Sequence, residues 1–83
     1  MSVEQKIRTY ILENFLFTED ESALNSADSL LAKGIIDSTG ALEMVQFLEQ
    51  QFGVKVNDNE MVPENLDSVA RMVAFVQRKQ PAN

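Results

Sequence analysis

The sequence predicts a small all-α bundle: three substantial amphipathic helices and one short one, with a long connection between the first and second. Three observations carry this. Apolar residues recur at helical spacing in three separate stretches. The clearest strand-like alternation, Val54-Lys55-Val56, is too short to support a sheet. And 83 residues leave room for one core, so the stretches must pack on one another as a single domain, 1–83.

The first helix is expected over residues 3–14. Val3, Ile7, Tyr10 and Ile11 form one apolar stripe, Glu4, Lys6, Arg8 and Glu13 lie off it, and Ser2 is a natural N-cap. Residues 15–37 form an unusually long connection for so small a domain. Leu24, Leu30, Leu31, Ile35 and Ile36 are available to pin it to the core, and Thr18-Glu19-Asp20-Glu21 has the spacing of a short helical turn. The second helix is expected over 38–52, with Asp37 as N-cap and Gly53 as its stop. Ala41, Met44, Val45, Leu48 and Phe52 fall on its core face, Thr39, Glu43, Gln46 and Gln50 on the opposite side, and Leu42, Glu49 and Phe47 at the borders. A short turn is expected over 59–62, ended by Pro63. The last helix is expected over 68–79, with Asp67 as N-cap and Val69, Met72, Val73 and Val76 as its stripe. Arg78 and Lys79 complement its dipole, and residues 80–83 should fray.

Composition excludes several function classes. The chain has no Cys, hence no disulfide, thiol nucleophile or zinc ribbon. It has no His, which removes the usual general base near neutral pH and with it Ser-His-Asp and Cys-His hydrolases and His-ligated metals. Thirteen acidic residues against seven basic give a net charge of −6, the wrong field for nucleic acid and a favourable one for partners with basic patches. No apolar run approaches bilayer length, and the start lacks the order of a signal peptide, so a cytoplasmic location without membrane insertion is expected. The acidic runs Glu19-Asp20-Glu21 and Asp58-Asn59-Glu60 match no calcium loop and read as solvated surface.

The informative stretch is Gly34-Ile35-Ile36-Asp37-Ser38. Gly34 permits a turn with positive φ, the two Ile anchor the loop, and Asp37 caps the helix. Ser38 then falls in the first helical turn, where a phosphodiester on its hydroxyl would meet the positive end of the helix dipole. With no base to activate it, Ser38 is a candidate for modification by a separate enzyme. The Asp-Ser pair by itself reads as a plain helix cap, which the spacing alone cannot reverse, and the alternative reading of the chain is an unmodified acidic interaction module.

Over almost its whole length the chain resembles acyl carrier proteins and peptidyl carrier domains. Asp28-Ser29-Leu30-Leu31-Ala32-Lys33-Gly34-Ile35-Ile36-Asp37-Ser38 resembles the family's loop leading into its modified Asp-Ser pair. Leu48-Glu49-Gln50-Gln51-Phe52-Gly53-Val54-Lys55-Val56 resembles the end of its second helix, and Glu64-Asn65-Leu66-Asp67-Ser68-Val69 the start of its last. The resemblance implies a free-standing, monomeric carrier, not an enzyme. Ser38, beside Asp37, would bear 4′-phosphopantetheine, transferred from coenzyme A by a magnesium-dependent phosphopantetheinyl transferase. The arm's thiol would carry the cargo as a thioester, loaded by an adenylate-forming acyl or aminoacyl ligase and passed to downstream acyl-processing enzymes with basic docking patches. Thr39, Leu42, Glu43, Gln46 and Glu49, with Asp37, would be the docking residues. Thr39-Gly40 after the Ser departs from fatty-acid carriers, which usually have Leu and then an acid there, and is closer to the D-alanyl and some aminoacyl carriers. Fatty acyl, short acyl and aminoacyl cargoes all stay open.

Two further expectations concern the cargo. Met44, Phe47, Leu48, Met61 and Phe75 are available to line a cleft, though stripes at helical spacing usually form core. Few contacts are expected to hold the long connection and the short helix. These would then be the most mobile parts, and opening between the second and third helices would admit cargo.

Overall fold

The computed structural model describes residues 2–80. Among them are four α-helices and no strand: α1 (Val3–Ile11), α2 (Ser38–Phe52), α3 (Pro63–Leu66) and α4 (Val69–Lys79). The fraying expected at 81–83 lies outside the described residues.

Ser2 caps α1, its hydroxyl accepting from the Gln5 N–H at 3.0 Å. Ile7 and Ile11 are fully buried. The helical path then runs past residue 14: it widens into a π-helical turn, Leu12–Leu16, closed by the Phe17 N–H on the Leu12 carbonyl. Phe17 ends it in left-handed backbone at φ 54, ψ 45, which costs a side-chain-bearing residue about 1 kcal/mol. Lys6 lies over Phe52, Tyr10 stacks on Phe47 at 4.0 Å, and Phe15 abuts Gly40, so α1 and α2 run antiparallel.

Residues 17–37 contain one short 3₁₀ turn, Glu21–Ala23, capped by Asp20 at the position where the acidic run suggested a turn. The segment is far from loosely held, contrary to expectation. Its first half is gripped by Arg8, which donates from Nε to Glu21 Oε1 at 3.0 Å and from Nη1 to Ser26 Oγ at 2.7 Å. Arg8 Nη2 also donates to the Glu21 and Leu24 carbonyls, both at 2.8 Å. Ser26 bridges further, its hydroxyl donating to Glu4 at 2.9 Å and its carbonyl accepting from the Ala70 N–H at 2.9 Å. The second half is held by Asp67: Ser29 Oγ donates to Oδ2 at 2.6 Å, the Leu31 N–H to Oδ1 at 3.0 Å, and the Leu30 N–H to the backbone carbonyl at 2.7 Å. Leu24, Leu30 and Ile36 are buried in the main core beside Leu48, Val69 and Met72. Each such side chain contributes about 1.5–3 kcal/mol. Leu31, by contrast, stays 46% exposed.

Three boundaries differ from expectation. The short helix does not occupy 59–62. A 3₁₀ turn spans Asp58–Glu60, and Pro63 opens α3 instead of ending a helix. A ring with preset φ and no N–H suits a first helical position. Ser68 rather than Asp67 caps α4, accepting from the Arg71 N–H at 3.1 Å. Asp67 cannot serve there because its carboxylate is committed to Ser29 and Leu31. At the far end, Glu60 accepts from Lys79 Nζ at 2.8 Å and from the Asn57 N–H at 3.0 Å.

Two consequences can be measured. Arg8→Ala is expected to lower the unfolding free energy by roughly 2–3 kcal/mol in urea titration and to accelerate amide exchange across residues 21–26. An unchanged midpoint would show that apolar burial alone holds the segment. The Lys79 ammonium, then the Asn57 N–H, hold the Glu60 carboxyl below its ordinary value. A depressed folded pKa stabilises above the unfolded pKa, and that stability fades as pH falls through the folded value. Glu60→Gln should therefore flatten the acid limb of a Tm-versus-pH curve below about pH 5.

Candidate functional site

The site is assembled where the long segment meets α2. Gly34 turns the chain at φ 71, and its N–H donates to the Leu31 carbonyl at 3.1 Å. Buried Ile36 anchors the next step, so Asp37 arrives at the N-cap. Asp37 Oδ1 accepts from the Gly40 N–H at 2.8 Å, which spends part of its charge on the helix end. Ser38 is the first residue of a 15-residue helix and is exposed. Its hydroxyl stands at the positive end of the dipole, where an attached anion is stabilised.

An apolar cleft of about 200 Å³ reaches Ser38. Leu30, Leu31 and Ile36 form its loop wall, Ala41 its helix wall, and Met61, Val62, Pro63 and Leu66 the α3 side, with Asp67 at its edge. The sequence reading missed this composition. Of the residues expected to line a cleft, Met61 does so, whereas Met44, Leu48 and Phe75 are buried core and Phe47 stacks on Tyr10. Pro63 and Leu66 join the wall because Pro63 opens α3. Asp67 was legible only as a cap, because its partners lie 36 and 38 residues away.

Thr39, Leu42, Glu43 and Gln46 all lie exposed on α2, Leu42 by 53%. Glu49 differs. It is half-buried, and its Oε2 accepts from the Val56 N–H at 3.0 Å, bracing the segment after α2.

Gly40 has a steric reason to be glycine. A Cβ there would stand 3.0 Å from Phe15 Cε1 and 3.1 Å from Ile36 Cγ2. The π turn that swings Phe15 onto α2 thus selects the residue two after Ser38. Gly40→Ala should lower stability despite alanine's usual helical advantage of about 1 kcal/mol, because buried Ile36 cannot retreat. Adding Phe15→Ala should recover part of the loss in a double-mutant cycle. A full alanine gain in the single variant would refute the close approach.

No protein-family model matches the chain. Curated relatives do. It is 36% identical over 76 residues to the probable acyl carrier protein PigG of Serratia sp. (strain ATCC 39006), covering 92% of this chain and 86% of that one. It is 36% identical over 84 residues to the D-alanyl carrier protein of Streptococcus uberis (strain ATCC BAA-854 / 0140J), covering 99% of this chain and all of that one. The D-alanyl carrier protein of Streptococcus pyogenes serotype M5 (strain Manfredo) is 33% identical over the same span. At such identity over nearly the full length of both partners, on an all-α bundle with an exposed Asp-Ser helix start, the chain belongs to the acyl carrier protein family and has a carrier role.

Proposed function

We propose that Ser38 is the attachment point of a 4′-phosphopantetheine arm and that the protein carries an acyl or aminoacyl group for other enzymes. The observation that carries this reading is the exposed Ser38 hydroxyl at the start of α2, opening onto an apolar cleft. When bound, the arm supplies the thiol that a chain without Cys lacks, and so the thioester. The rest of the work falls to the chain's own residues. Asp37 fixes the helix start and thereby the direction of the Ser38 side chain. The α2 amide end favours the phosphodiester charge. Leu30, Leu31, Val62 and Leu66 offer apolar shelter beside the attachment point.

Thr39, Leu42, Glu43 and Gln46 form the docking face for enzymes with basic patches, with Glu49 contributing at its edge. Rim charges of this kind raise encounter rates more than affinity. The enzymes concerned are a phosphopantetheinyl transferase, an adenylate-forming ligase and downstream acyl-processing enzymes. The D-alanyl carrier relatives, together with the resemblance of Thr39-Gly40 to that type of carrier, favour a specialised, ligase-loaded carrier over one of housekeeping fatty acid synthesis.

Incubation with coenzyme A, magnesium and a broad-specificity phosphopantetheinyl transferase should add one phosphopantetheinyl group to the intact mass. Ser38→Ala should gain nothing while keeping its circular dichroism and losing less than about 0.5 kcal/mol, since an exposed first-turn residue makes little stability difference. A folded wild-type chain that gains no mass, with the enzyme active on a control, would make Asp37-Ser38 a helix cap and the chain an acidic interaction module.

A further inference from the structure

At Phe17 the fold uses the left-handed backbone that ends the π turn, but it does not need an exposed aromatic ring there. The Phe17 side chain is 81% exposed, and its backbone is left-handed at φ 54, a position where helix ends normally take Gly or Asn. Its place in the bundle is defined by its neighbours. The Lys6–Phe52, Tyr10–Phe47 and Phe15–Gly40 contacts climb α1 as they descend α2. Phe17 follows Phe15 by two residues, and Ser38 precedes Gly40 by two. Two residues span at most about 7 Å, so Phe17 and Ser38 share one end of the bundle.

The ring stands beside an open hollow lined by Glu13, Thr18 and Glu19. Glu21, in the adjoining hollow, is already paired with Arg8. An aromatic knob beside two carboxylates that form no ion pair among the described residues fits a surface with an apolar socket and a basic rim. A second copy would set acid against acid, and an anionic lipid surface would repel a chain of net charge −6.

We propose that Phe17 is a docking anchor for the enzyme that modifies Ser38, its ring seated in an apolar socket while basic side chains meet Glu13 and Glu19. The inference rests on the reading of Ser38 as the attachment point. It selects the transferase because that enzyme must bring its active site to the Ser38 oxygen itself and so must cover this end of the bundle. Enzymes that act at the tip of an arm need not.

The test measures steady-state transfer of phosphopantetheine to the full chain by the broad-specificity transferase. Phe17→Asn suits the left-handed backbone and should keep or raise the Tm. It should raise the KM for the carrier about tenfold with kcat within twofold. Phe17→Leu, still apolar, should stay within threefold of wild type. Glu19→Lys should raise KM and weaken its salt dependence. A wild-type KM in Phe17→Asn, with wild type modified normally, overturns the anchor and leaves the Ser38 reading intact. No modification of wild type overturns both. If Phe17→Asn keeps its KM but abolishes self-association in sedimentation, or binding to anionic phospholipid vesicles, the ring serves a second copy or a membrane and the proposal fails.

Discussion

The guanidinium of Arg8 is the interaction on which the rest depends. Residues 17–37 form little repeating structure, so their backbone groups need partners from elsewhere, and unpaired buried ones would be costly. Arg8 supplies donors to two of those carbonyls and to the side chains of Glu21 and Ser26 from a single planar fork. Ser26 then relays the hold to α4 through the Ala70 N–H. Asp67 repeats the device for the second half with opposite polarity, accepting where Arg8 donates. Between the two clamps Leu24 and Leu30 drop into the core. The chain reaches Ile36 already positioned, and Asp37 and Ser38 follow.

The site inherits its shape from these clamps. One wall of the cleft is the loop that Asp67 holds, and the other is α3, which begins at Pro63. Asp67 therefore sets the separation of two walls that are distant in sequence. The helix start contributes the anion-favouring amide end, and the exposed α2 residues contribute a mildly acidic outer face. A hydroxyl, a helix end, an apolar recess and a charged rim suit a protein that is acted upon, which accords with membership in a carrier family.

The π turn at Leu12–Leu16 links packing to the site in a second way. It brings Phe15 against Gly40 and ends in the left-handed Phe17. Gly40, read from sequence as part of a departure from fatty-acid carriers, thus answers to a local steric requirement. The same turn pushes one ring inward and leaves the other in solvent at the end of the bundle where Ser38 lies.

Much of this was legible in the residues alone. The periodic stripes located α1, α2 and α4 to within a few positions, because helical burial leaves a local record every three or four residues. Asp37 and Gly53 marked the bounds of α2 because capping is also local. Ser38 was singled out by the resemblance of the segment leading into it, since its place at a helix start reads as a cap alone, and the all-α class followed from the lack of strand patterning. Tertiary structure decided what depends on residues far apart in the chain. Asp67 reads locally as a cap, yet Ser29 and Leu31 claim its carboxylate, and Ser68 takes the cap. Glu49 reads as a border residue available for docking, yet it braces Val56. The cleft joins residues 30–36 to residues 61–67, a pairing with no periodic signature, since a wall built from two separated segments records its geometry only where they meet.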